Sequence, residues 1–88
     1  MTPQEAYLER VNQFVSSLSA VLTAPEKARV DHLIQHGEPP EGLLTLAWII
    51  HNEHKVVSKQ AVADLIRLTG GLILTEDFPP DFENYGDS

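Results

Sequence analysis

Through the first part of the chain, apolar side chains recur at spacings of three and four: Tyr7, Leu8, Val11, Phe14, Val15, Leu18, Val21 and Leu22. At about 3.6 residues per helical turn these fall on one stripe, with Glu9, Arg10, Asn12, Gln13, Ser16 and Ser17 opposite. In front of the stripe, Thr2-Pro3-Gln4-Glu5 supplies a capping hydroxyl, a proline whose missing N–H does no harm, and a returning carboxylate. The pattern predicts a first helix over residues 3–22. Thr23-Ala24-Pro25-Glu26 repeats the start signal, and Val30, Leu33 and Ile34 predict a second helix to about His36, with Gly37 as its left-handed stop. Glu38-Pro39-Pro40 is expected to be a stiff connector, because proline cannot continue a helix.

The third predicted helix, residues 41–53, breaks the amphipathic rule. Leu43, Leu44, Leu46, Ala47, Trp48, Ile49 and Ile50 leave only Thr45 polar in its middle. Such a helix is either central to its own domain or covered by another molecule. Trp48 and Ile49, which point away from the face made by Leu43, Leu46, Ala47 and Ile50, are therefore candidates for burial or for a second interface. A fourth helix opens at Ser58, with Val57 placed to staple against Val62, and carries Val62, Leu65, Ile66 and Thr69 on its buried stripe. Gly70-Gly71 ends it, and Leu72-Ile73-Leu74 reads as either a short strand or an apolar strap on the bundle. The fold class expected is all-α, a small four-helix bundle-like domain over residues 1–74 with an irregular acidic, aromatic tail over 75–88.

Charge narrows the function. Thirteen acidic against six basic residues give a net charge of −7, which argues against nucleic acid as a partner. Acidity also suits any soluble protein, so alone it selects nothing further. The longest apolar run, Leu46–Ile50, is too short to cross a bilayer, and the opening residues MTPQEAYLER lack the apolar core of a signal peptide, so a cytoplasmic location is expected. Cysteine is absent, which removes disulfides, thiolate metal ligands and a cysteine nucleophile.

Candidate chemistry is sparse. His32 and His36 share a helix face but lack a third ligand at motif spacing, and His51 and His54 suit a helix C-terminus, so no metal or cofactor is expected. Ser16, Ser17, Ser19 and Ser58 sit in no nucleophile elbow, and Gly70-Gly71 is too little for a phosphate loop. Glu38 with Glu41, and Glu76 with Asp77, fall in a connector and a tail where water keeps both members ionised. The chain is accordingly read as a binder and not an enzyme. Five of the thirteen acids lie in the tail, and Glu76, Asp77, Asp81 and Glu83 alternate there with Phe78, Phe82 and Tyr85. Two arrangements suit that alternation: aromatic anchors with carboxylates that orient a basic partner, or aromatics folded back onto the bundle beneath solvated acids.

The segment Leu33-Ile-Gln-His-Gly-Glu-Pro-Pro-Glu-Gly-Leu-Leu-Thr-Leu-Ala47, followed by Val56-Val57-Ser58 and Leu65-Ile66-Arg67-Leu68, resembles the small bacterial immunity proteins of the MafI type, which are encoded beside polymorphic toxins. The resemblance covers about residues 30–72 and rests on apolar spacing and turn residues. Ala47, Trp48 and His51 stand where that family carries a cysteine and an acidic-aromatic stretch, and the Pro39-Pro40 pair and the acidic tail lie outside its pattern. The resemblance implies a protein that occludes a cognate toxin. A basic toxin domain would then meet Glu38, Glu41, Glu76, Asp77, Asp81 and Glu83, with Phe78, Phe82 and Tyr85 as anchors. A non-enzymatic adaptor, or a homodimer through Trp48 and Ile49, is the alternative.

Overall fold

Three of the four helices begin where a hydroxyl caps them. In the computed structural model, which describes residues 2–87, the Thr2 hydroxyl accepts from the Glu5 N–H at 3.1 Å and the Thr23 hydroxyl from the Glu26 N–H at 3.2 Å. Both glutamates reach back to the capping residue's own N–H, which completes two capping boxes. Ser58 caps the last helix through the Ala61 N–H at 3.0 Å. The helices are α1 (Pro3–Ser17), α2 (Ala24–Gln35), α3 (Pro39–Asn52) and α4 (Lys59–Leu68), followed by 3₁₀ turns at Thr75–Asp77 and Phe82–Asn84. The fold is all-α and bundle-like. Among the described residues the only ladder pairing is one isolated parallel bridge, Ser58 to Asp87.

Two boundaries differ from the sequence expectation. The first helix stops at Ser17, not residue 22, and tightens into a turn through the Leu18, Ser19 and Val21 N–H groups, each bonded three residues back. Serine hydroxyls compete with the helical ladder, and the Ser17 hydroxyl donates to the Phe14 carbonyl. Leu18 and Leu22 nevertheless stay in the core. The second difference is that Pro39 and Pro40 are not a connector. They form the first turn of α3, where the lacking N–H groups have no intrahelical partner to lose. The joint between α2 and α3 is thus only His36, Gly37 and Glu38, with Gly37 left-handed at φ 82°.

One core unites the chain, through Val11, Val30, Leu43, Leu46, Leu65 and Phe82 among others. Helices α2 and α3 approach closely at Gly42, where an added Cβ would lie 2.9 Å from Ile34 Cγ1 and 3.2 Å from the Val30 carbonyl. Residues 75–87 do not trail from this core. Phe78 and Phe82 are buried within it, their rings stacked at 6.1 Å, and Phe82 stacks in turn on Tyr85 at 6.1 Å. The Tyr85 hydroxyl donates to the Lys55 carbonyl at 2.7 Å, and Asp87 exchanges backbone bonds with Val57 and Lys59, each 2.8 Å. The expected boundary between residues 74 and 75 therefore marks a change of backbone regularity, not a gap in packing. Ser88, assigned to the tail on sequence, lies outside the described residues.

Candidate binding surface

Helix α3 carries the surface as well as the core. Leu43, Leu46, Ala47 and Ile50 are buried, and so is Ile49 at 6% exposure, which withdraws Ile49 from the second interface proposed on sequence. Trp48 alone of that pair reaches solvent, at 37%. Its indole N–H donates to the Asp77 carbonyl at 2.9 Å, and its ring meets His51 edge-on at 6.0 Å. Spacing by four places Pro40, Leu44 and Trp48 on one face of α3.

The segment after α4 runs beside that face. Gly70 and Gly71 are both left-handed, at φ 61° and 77°, and throw the chain back over the bundle. Leu72 lines a depression of about 250 Å³ with Tyr7, Leu8, Pro39 and Pro40, at the start of α3. Five residues on, Asp77 meets Trp48, two helical turns further along α3. Residues 72–77 are thus a strap lying beside α3, pinned by Ile73 against the core and by Asp77 at Trp48. The strap is neither a strand nor a buried filler: Leu72 and Leu74 are 73% and 61% exposed. Of the two arrangements the sequence left open for this run, a short strand or an apolar strap on the bundle, the strap is the one that forms, with Ile73 packed against the core and Leu72 and Leu74 outside. The adjoining glycine pair was the available signal that the backbone turns outward there.

The sequence-predicted site residues separate into two sets. Glu38, Glu41, Glu76, Asp77, Asp81 and Glu83 are all exposed, and none joins an ion pair among the described residues. Glu38 and Glu41 flank the start of α3, while Glu76 and Asp77 lie in the 3₁₀ turn that follows the exposed leucines. Phe78 and Phe82, expected as anchors, are interior, and Tyr85 is half-buried with its hydroxyl engaged. The aromatics lie inward because a domain this small needs their area for its own core.

Charge on the other side of Trp48 is nearly balanced. A groove of about 420 Å³ between α2 and α3 holds Arg29, Glu53 and Glu26 beside Trp48 and Leu44. The Glu26 carboxylate takes the Thr23 N–H at 2.8 Å and the Lys55 ammonium at 2.9 Å on the same oxygen. The Thr23 backbone bond first, and Lys55 second, hold its pKa below the usual carboxylate range. Burial pushes the Tyr7 hydroxyl above its ordinary value, opposed by Arg10, while that hydroxyl donates to the Leu68 carbonyl and ties α1 to α4.

The His32 and His36 rings lie with centroids 4.1 Å apart and planes tilted by 39°, and among the described residues no group of three or more metal-binding side chains assembles. No helix there is long and apolar enough to cross a membrane. No family model matches the chain, and no curated protein or solved structure matches it either.

Proposed function

We propose that this protein is an immunity protein of the kind its sequence resembles, which binds a cognate bacterial toxin and neutralises it by occlusion, with no catalysis of its own. The observation that supports the reading is the set of six exposed carboxylates, free of ion pairs among the described residues, on a rigid frame. Carboxylates carried on a folded backbone present a negative field, which accelerates encounter with a cationic surface such as a nuclease groove. Trp48 takes over the anchoring role expected of Phe78, Phe82 and Tyr85, since an aromatic ring already ordered by a hydrogen bond contributes area at low entropic cost.

Co-expression tests this directly. A candidate toxin module taken from a neighbouring reading frame is induced in cells with and without this protein. Protection by the wild type, weakened when Glu76, Asp77, Asp81 and Glu83 become their amides, is the expected result. Absence of both protection and a purified complex with that module would remove the immunity assignment. The exposed leucines favour one rival, a homodimeric adaptor, and sedimentation equilibrium separates the two: the immunity reading requires a monomer that becomes a heterodimer.

A further inference from the structure

We infer that the Leu72–Asp77 strap and the adjoining face of α3 dock a cationic amphipathic segment of another protein, its apolar side chains seated against Leu72, Leu74 and Trp48. The inference rests on the reading that this protein acts by binding, and it specifies what the partner presents there. Three observations carry it. First, two leucines at 73% and 61% exposure and a tryptophan at 37% belong to one pinned strip. Isolated exposed leucines are ordinary, whereas leucines held out on a braced strap beside an ordered indole form a patch. Second, acids bound the strip: Glu38 and Glu41 at the start of α3, Glu76 and Asp77 where the strap meets Trp48. Third, no lysine or arginine follows Arg67, so nothing on the strap itself offsets those carboxylates.

Charge complementarity selects the occupant. A second copy would bring the same carboxylates face to face, and like charges across an interface are costly. An acidic segment meets the same repulsion. A segment with lysines or arginines flanking an apolar stripe satisfies both the leucines and the acids, in the manner of a helix laid into a groove.

Trp48 is the chain's one tryptophan, so its fluorescence reports on the strip without labels. The full chain is titrated with three synthetic helical peptides: leucine–lysine, serine–lysine of equal charge, and leucine–glutamate. The leucine–lysine peptide is expected to bind one-to-one with a blue shift of Trp48 and to weaken with added salt. The serine–lysine peptide should bind about tenfold more weakly or worse, and the leucine–glutamate peptide not at all. A Leu72→Ser/Leu74→Ser variant, altered only at exposed positions, should keep its helical circular dichroism and lose about tenfold in affinity. Equal binding of both lysine peptides, or of wild type and double variant, overturns the proposal. So does self-association of the free protein that the double variant abolishes. If that variant misfolds, the peptide series on the wild-type chain still decides. Peptide binding without protection of toxin-producing cells sinks only the toxin assignment, and protection that the double variant retains sinks only this surface.

Discussion

Phe82→Ala measures how far the acidic segment belongs to the fold. Phe82 is 1% exposed and sits between the rings of Phe78 and Tyr85. Burying a phenylalanine removes ~150–250 Å² from water, which at ~25 cal/mol per Å² is at most ~4–6 kcal/mol. Truncation to alanine leaves part of that area and adds a cavity, so the expected loss is ~3–5 kcal/mol. A chain of 88 residues has roughly 4–13 kcal/mol in total. One substitution in the supposed tail should therefore lower the thermal midpoint by ~12 °C or more, at ~4–8 °C per kcal/mol. Urea denaturation followed by far-ultraviolet circular dichroism and by Trp48 emission gives the number, provided both probes report one transition. A loss below ~1 kcal/mol would match a surface change and would refute the placement of Phe82 in the core.

The quadruple amide variant at Glu76, Asp77, Asp81 and Glu83 should behave oppositely, its midpoint staying within ~0.5 kcal/mol per site, because those carboxylates make no ion pair to lose; calorimetry on the free protein checks it. Gly42→Ala should destabilise: the ~1 kcal/mol helix-propensity gain is outweighed by a ~1–3 kcal/mol overpacking cost, since the new methyl meets a buried isoleucine and a backbone carbonyl, and a raised urea midpoint would contradict that close approach. The native pKa of Glu26 is depressed, so its anion adds stability above the ordinary carboxylate range. As pH falls the unfolded chain takes up its proton first, and the contribution is gone below the native value. Glu26→Gln should flatten that part of the acid limb, and urea midpoints that track wild type throughout would show that the Lys55 pairing does not matter.

What was legible in the sequence depended on whether the deciding contact was local. Thr2, Thr23 and Ser58 cap within three residues of themselves, so the helix starts could be read directly. Pro39 and Pro40 could not, because proline stops a helix from within and begins one from its first turn, and only the brevity of the His36–Glu38 joint separates the cases. The placement of Phe78, Phe82 and the strap leucines depends on which side chains the bundle lacked room or need for, a volume question that periodicity does not pose. The exposed acids were foreseen because ionised side chains without partners remain in water whatever the fold. Phe78 and Phe82 lie inward and Trp48 reaches solvent for the complementary reason: interior volume was filled by the aromatics that come last in the chain.

That dependence has a consequence for biosynthesis. A ribosome delivers α1 through α4 before it delivers Phe78 and Phe82, so the emerging polypeptide must wait for its closing wedge. At ~5–20 residues per second the interval is about a second or longer, whereas helices form in about a microsecond. Throughout it, the side chains that Phe82 will cover lack their cover, and a chain truncated before residue 82 keeps them uncovered.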